Sequence, residues 1–564
     1  MRALLPLVIV VGLLGGCVGG DPRAGRSSSR ATPSPSATET ADPATRAREL
    51  VAKLGDEDLV GQVLMPYVYG TDANRVASSA ASGNRKYAGV DTPAQMIAKY
   101  RLGGLILTRR TSDATGSTNP STNIESPAQV RKLTTGLQEA AHALPAGVPL
   151  LIGTDQEFGS VTRIREAPVT QLPSAMAFGA AANSALTEAA WRAAGTELAA
   201  LGVNVDFAPV ADVLGPAGSG VIGSRSYGTD PKVAADQVAG AVRGLQAGGV
   251  AATLKHFPGH GHTTADSHTN LPVLSQNRAA LNSGDLPPFQ AGIQAGAWLV
   301  MSGHLDVRSV EPGVPATFSH KVLTDVLRKE LGFTGIVVTD SMGMAPARQW
   351  PIGEAAVRAV LAGNDVLLMP PDVGAAHAGL LAALKSGRLP RAQLEESVTR
   401  ILTVKLRLAG FAQPAMSAVG GAEHEAAAKA AAAAAITLLR GSCQGPLVSG
   451  RVTVTAAGGG WVRQREALVA ALKAHGIEVV ASGGKIVHLV GYGDGSAGLR
   501  SDAAVTVAMD TPYVLGRSSS PVLVATYSST AVSMAVLATV LAGHARPTGR
   551  SPVPVSGLPR TTCG

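Results

Sequence analysis

The chain has 564 residues and a mass of 57.0 kDa, enough for two or three domains with separate cores. Hydrophobic residues supply 45% of it and charged residues 16%, which excludes a largely disordered chain. The formal net charge is +8, yet Lys and Arg are dispersed and aromatics make up only 4%, so no nucleic-acid partner is expected and the basic balance reads as a solvated surface.

The first seventeen residues, MRALLPLVIVVGLLGGC, place one cation before an apolar stretch from Ala3 to Leu14 and small residues before Cys17. That stretch is too short for a mature membrane span and suits a secretory signal over residues 1–16. Leu14-Gly15-Gly16-Cys17 resembles the bacterial lipobox, which implies cleavage before Cys17 and lipidation of it. The expected location is extracytoplasmic, with acyl chains on Cys17 anchoring the protein to the cell membrane. Residues 17–46 are rich in Ser, Thr, Pro, Ala and Gly and read as a disordered tether.

A catalytic domain is expected over 47–415, opening with a helical pattern in RELVAKLGDEDLVGQVLM (48–65). The segment 68–93 reads as a long, mobile insertion near the site, a surface loop or a lid. Seven apolar runs then alternate with helical stretches: GGLILT, PLLIGTDQ, VNVDFAPV, VAATLKHF, AWLVMSGH, TGIVVTDSM and NDVLLMP. Near-continuous apolar strands between helices imply a parallel sheet covered on both faces, and this many units favour an α/β fold of the (β/α)8 barrel type. Asp155, Asp206, Lys255, His256, His304 and Asp340 fall at or just past the ends of these runs, where a barrel gathers its catalytic groups. An alanine-rich linking helix is expected over 416–441. Beyond it, over 442–564, four further strand-like runs and helices predict a smaller αβα sandwich without a phosphate-binding glycine loop. Cys443 and Cys563 are the remaining cysteines, at the two edges of this domain, and an oxidising location favours a disulfide between them.

The stretch KHFPGHGHTTADSH (255–268) packs four histidines and an aspartate into fourteen residues. Its spacing matches neither H-E-x-x-H nor H-x-H-x-D-H zinc patterns, and its glycines and proline describe a shaped loop, so no metal is expected. Asp266 and His268, two residues apart, can instead face the same way. A carboxylate on one ring nitrogen fixes the tautomer and stabilises the imidazolium, leaving the other nitrogen to give and take a proton. Asp340, in VVTDSMGM at another strand end, is the candidate nucleophile.

Together with VTDSMGM, DQE and RSYGTDP, the long histidine motif resembles glycoside hydrolase family 3 β-N-acetylhexosaminidases, in their two-domain bacterial lipoprotein form. The resemblance implies a hydrolase working on N-acetylglucosamine-containing glycans such as peptidoglycan fragments, in two retaining steps and without a cofactor. It implies Asp340 as nucleophile, His268 as acid/base with Asp266 as its dyad partner, and Asp155, Arg163, Arg225, Lys255 and His256 as sugar-binding residues. Transfer to phosphate, a β-glucosidase and a non-catalytic wall-binding lipoprotein are the alternatives. The family's DQEGGRV stands here with Phe158 for a Gly and Ser160 for an Arg, and Phe158 is expected to narrow the pocket near the sugar.

Overall fold

The computed structural model describes residues 42–564 apart from 113–117, 121–122, 217, 264 and 564. The signal peptide, Cys17 and the tether up to residue 41 lie outside the described residues. Regular structure begins before residue 47. Asp42 accepts hydrogen bonds from the backbone N–H of Ala44 and Thr45, and Pro43 occupies the first turn of the helix Pro43–Val51. This Asp-Pro start draws the last tether residues into the fold.

Eight short strands form a ring: β1 (Leu64–Met65), β2 (Gly104–Ile106), β3 (Leu151–Thr154), β4 (Val205–Asp206), β5 (Ala251–Phe257), β6 (Leu299–Ser302), β7 (Ile336–Thr339) and β8 (Leu367–Leu368). Neighbours pair in parallel and in chain order from β2 to β7. The ring closes through bridges Val338 to Val366 and Tyr67 to Ile106 and through the β1–β8 pair. Every residue of β2, β3, β5, β6 and β7 is buried, as a barrel with side chains inside and helices outside requires. β1 escapes the apolar-run reading because it has two paired residues and follows the helix Asp56–Gln62 almost directly.

The segment 68–93 is not a mobile insertion. Its helix Ser78–Ala88 carries Asn84, fully buried, whose side chain bonds the backbone N–H and C=O of Tyr69 and the C=O of Asp91. Tyr87 stacks on Tyr67 at 3.9 Å between ring centroids and donates its hydroxyl to the Pro370 carbonyl at 2.7 Å. The buried Asn84 amide thus holds the segment together, and Tyr87 ties it to the barrel through Tyr67 and Pro370, which composition alone does not reveal.

The linking helix spans Ala422–Ala435 and stops short of the expected end. Ile436 to Leu439 turns β-branched and apolar, and Thr437–Arg440 becomes β9, with Leu438 and Leu439 buried on opposite faces. The second domain continues with β10 (Arg451–Ala456), β11 (Glu478–Val479), β12 (Lys485–Val490), β13 (Val505–Ala508) and β14 (Val522–Ala525). The sheet order is β9-β14-β13-β12-β10-β11, parallel except for the antiparallel β9–β14 pair. Helices Val462–Ala474 and Ala531–Leu541 cover one face through Leu468, Leu472, Leu537 and Leu541. The other face, with Leu439, Val490, Ala508, Leu523 and Ala525, shares an apolar core with Met176, Ala177, Val210 and Leu214 of the barrel. The barrel therefore supplies the third layer on that side of the sheet.

Cys443 and Cys563 are bonded, with Cα atoms 5.6 Å apart and a sequence separation of 120. A cross-link over so long a loop removes conformational freedom from the unfolded chain, worth about 2–4 kcal/mol. Thermal scans of the Cys443→Ser, Cys563→Ser double variant are expected to show a lower Tm. Reductant should lower the Tm of the unaltered protein and leave that of the variant where it is.

Candidate active site

The C-terminal ends of β3 to β7 converge on one mouth, each contributing a charged or hydrogen-bonding group. Asp155, just past β3, accepts from Lys255 Nζ at 2.9 Å and from an Arg163 terminal nitrogen at 3.2 Å. Glu157 takes the Arg225 guanidinium in a two-point pair at 2.6 and 2.9 Å and lies 2.6 Å from Lys255 Nζ. Burial alone would push both carboxyls up; Lys255 with Arg163, and Arg225 with Lys255, outweigh it, and Glu157 is held down at about 2. Burial works against the Lys255 ammonium too, but Asp155 and Glu157 reverse it and the ammonium is held above its ordinary value. The result is a desolvated, fully charged lattice of two carboxylates and three cations, aimed at whatever polar ligand enters.

His256 sits beside it, its Nδ1 2.8 Å from Asp212 Oδ2 and its Nε2 3.4 Å from an Arg225 nitrogen. Asp212 Oδ1 also accepts the backbone N–H of His256 and His260, at 3.0 and 2.7 Å. One buried carboxylate thus holds both ends of the K-H-F-P-G-H turn.

The rest of the histidine loop is distributed among separate partners. His260 lies within hydrogen-bond distance of the Thr263 and Ser267 hydroxyls, and His262 Nδ1 lies 2.8 Å from Asp285. His260 therefore shapes the loop that presents the next residues. His268 Nδ1 stands 2.7 Å from Asp266 Oδ1, which also accepts the His268 backbone N–H at 2.9 Å. This double contact locks the ring to the carboxylate. The His268 side chain is 69% exposed, so its Nε2 is open to ligand and water.

Asp340 follows β7 directly, and its Oδ1 accepts the Ser341 N–H at 2.7 Å. Burial would raise the carboxyl, but His256, His304 and the Ser341 N–H outweigh it and hold it below the ordinary carboxylate value. His304, fully buried, donates from Nε2 to the Ser341 carbonyl at 2.9 Å, with Nδ1 2.8 Å from the Thr317 hydroxyl. Burial holds the His304 imidazole below its usual value against the pull of Asp340, and its contacts with the Ser341 carbonyl and the Thr317 hydroxyl brace the loop carrying Asp340. Asp340 is thus an ionised carboxylate, buried in part, within the electrostatic reach of His268.

Every residue singled out from the motifs lies at this mouth, with two differences. Asp206 points into the barrel rather than the mouth: it is fully buried, accepts the Gln156 N–H at 2.9 Å, and burial pushes its carboxyl well up. Phe158 does not narrow a sugar pocket. It turns into the core and meets Trp191 edge-on, with centroids 5.6 Å apart, at a φ of 66° that a glycine adopts without cost. Sequence reasoning passed over Glu157, Asp212 and Thr317. Glu157 stands inside the D-Q-E motif and Asp212 in APVADV, past the end of the VNVDFAPV run, so strand-end position was the available signal for both.

The second domain meets the loop that carries Arg225. Ser224 donates its hydroxyl to the Asp510 carboxylate, Ile222 shares the interdomain core with Leu515, and the next residue, Arg225, is the one clamped on Glu157. Asp510, just beyond β13, therefore steadies the turn Gly223–Arg225 from the neighbouring domain.

Comparison with known proteins agrees with this architecture. The model of the glycosyl hydrolase family 3 N-terminal domain matches residues 57–404. A solved glycoside hydrolase family 3 β-N-acetylglucosaminidase from Paenibacillus sp. str. FPU-7 superposes with a TM-score of 0.77 at 31% identity, covering 89% of this chain and 99% of that one. Beta-hexosaminidase A of Pseudoalteromonas piscicida is 34% identical over 373 residues, 61% of this chain and 60% of its own length. A beta-hexosaminidase of Stenotrophomonas maltophilia (strain R551-3) is 41% identical over 255 residues, 44% of this chain and 73% of its own. With the family match running through all eight strands of the ring and every charged group at its mouth, the chain belongs to glycosyl hydrolase family 3.

Proposed function

We propose that the protein is a retaining exo-β-N-acetylglucosaminidase that removes terminal N-acetylglucosamine from peptidoglycan-derived fragments, held by lipidated Cys17 at the outer face of the cell membrane. The observation that carries the chemistry is the pairing of an ionised carboxylate, Asp340, with an exposed Asp266–His268 dyad at one mouth. The activities of the family relatives support the sugar, and the signal-like N-terminus supports the location.

In the first step an Asp340 oxygen attacks the anomeric carbon while protonated His268 gives its Nε2 proton to the departing glycosidic oxygen. The products are an ester of the sugar on Asp340 and a neutral alcohol. In the second step neutral His268 takes a proton from water, whose oxygen attacks the anomeric carbon from the vacated side and frees the Asp340 carboxylate. Two inversions give net retention. Asp266 keeps the Nδ1 proton in place, so Nε2 is the nitrogen that exchanges protons in both steps. Asp155, Lys255, Arg163, Arg225 and His256 line the position of the sugar, where charged donors and acceptors bind hydroxyls and the acetamide carbonyl.

The test is turnover of p-nitrophenyl β-N-acetylglucosaminide against the β-glucoside, with the first product's anomeric form followed by NMR. A first-formed β-hemiacetal from the former sugar is expected; an α product would exclude retention. His268→Ala should cut turnover of poor leaving groups about a thousand-fold, the middle of the range that acid/base catalysis contributes. Dinitrophenyl glycosides should lose little in the first step, and added azide should restore the second as a β-glycosyl azide. Equal losses on both leaving groups, without azide rescue, would remove His268 from the acid/base role.

A further inference from the structure

The C-terminal edge of the second domain carries a group of exposed side chains that the chemistry above does not use. The chain leaves β10 and returns beside it as β11 on one side, whereas β12, β13 and β14 are added in turn on the opposite side, all parallel to it. The carboxyl ends of β10 and β12 are therefore a topological switch point, where open α/β sheets bind ligands in the crevice between diverging loops. Those loops here are AGGGW (457–461) and GYGDGS (491–496).

They are built around aromatics. Tyr492 is 60% exposed and Val462 47%, the two most exposed large apolar residues of the described chain. Trp461, part-buried, donates its indole N–H to Asp494 Oδ2 at 2.7 Å, and the same oxygen accepts the Gly491 N–H at 2.8 Å. One carboxylate thus clips the two loops together. The indole lies against Gly491 so closely that a Cβ there would come within 2.3 Å of it, so the glycine is required for the ring's position. Beside the rings stand Asp494 and Ser496, the latter bonded to Arg517 at 2.8 Å.

The edge is continuous with the barrel mouth. Val490 of β12 pairs with Ala508 of β13, so the Tyr492 loop lies beside Asp510, the residue bonded to Ser224 next to Arg225. At about 4.8 Å per strand, the end of β12, from which the Tyr492 loop leaves, is one step along the edge from the end of β13, and the end of β10, which leads to Trp461, is one step further.

We propose that this edge is a glycan-binding platform, taking sugar units of the substrate beyond the terminal one held at the mouth; the proposal rests on the glycosidase reading. A pyranose with equatorial substituents presents an apolar C–H face and a rim of hydroxyls. Aromatic faces bordered by a carboxylate, a serine and an arginine complement both features, and the Trp461 ring is already fixed by Asp494 and Gly491. A surface of this kind ranks substrates by chain length, whereas the mouth ranks them by the identity of the terminal sugar.

The experiment compares KM for the β-1,4-linked N-acetylglucosamine trimer with KM for p-nitrophenyl β-N-acetylglucosaminide. Tyr492→Ala should raise the ratio of trimer KM to p-nitrophenyl KM about five-fold, the scale of one aromatic contact, and Tyr492→Phe should leave the ratio near its original value. An unchanged ratio in Tyr492→Ala, with Tm preserved, would overturn the platform. Should the unaltered protein turn over neither compound, the glycosidase reading fails, and calorimetric titration of the trimer then decides the platform separately. Binding weakened by Tyr492→Ala would support it; no binding, or equal binding, would overturn it.

Discussion

Asp340→Asn abolishes turnover while leaving the protein folded: kcat on any β-N-acetylglucosaminide is expected to fall on the order of 10^5-fold or more, the scale seen when a covalent nucleophile is removed. Asparagine keeps an acceptor for the Ser341 N–H, so the loop braced by His304 should hold its shape. What disappears is the anion that His256 and His304 stabilise. Because those groups hold the Asp340 carboxyl below its ordinary value, it is ionised at every pH above the ordinary carboxylate range. Its protonation should therefore not set the acid limb of kcat/KM anywhere above the ordinary carboxylate range. A 5-fluoro N-acetylglucosaminyl fluoride should trap an adduct whose mass maps to the peptide carrying Asp340. An adduct on Asp266, or full activity in Asp340→Asn, would sink the assignment.

Glu157→Gln carries the second large effect, and on stability as well as activity. The Glu157 carboxylate is buried against Arg225 and Lys255, and its loss leaves cations with one counter-charge fewer in a dry setting. Breaking a buried pair in this way costs about 3 kcal/mol or more. The pH dependence follows from the direction of the shift: the folded-state value, about 2, lies below the ordinary 4.5. Above pH 4.5 the group is ionised whether or not the chain is folded, and its stabilisation is fully present. As the pH falls from 4.5 toward 2, the unfolded chain takes up the proton first and that stabilisation is progressively lost. Melting curves across this window should slope less steeply with pH in Glu157→Gln than in the unaltered protein. Parallel slopes would mean that Glu157 is not what ties the charge lattice to the fold.

How far the sequence could be read depends on how local each signal is. The apolar runs of β2 to β8 were legible because a strand buried on both faces has no other composition open to it. β1 was not, since two paired residues directly after a helix leave no run to see. The dyad was legible because Asp266 and His268 are two residues apart and bond within one turn. Asp212 was not, because the main-chain groups it organises lie 44 and 48 residues downstream. Phe158 misled for a related reason: substitution of a motif glycine beside Asp155 suggests a pocket wall, but where a side chain goes depends on the local backbone conformation and packing, which the motif does not state. At 66° the ring turns toward Trp191 instead. Asn84 and Tyr87 teach the same lesson in reverse, since a segment rich in Ser, Ala and Gly is held by the hydrogen bonds of two buried side chains that leave no periodic trace.

The apolar core that Met176, Val210 and Leu214 share with Leu523 and Ala525 also constrains how such an enzyme can be shortened. Cutting the chain after the linking helix would leave an oily scar beside the mouth and take away the Asp510 partner of Ser224. A barrel-only descendant would have to repaint that patch with polar side chains and find a new brace for the Arg225 turn. Several substitutions would be needed together before a single-domain form became soluble and competent, so loss of the second domain is a coordinated change and not a simple deletion.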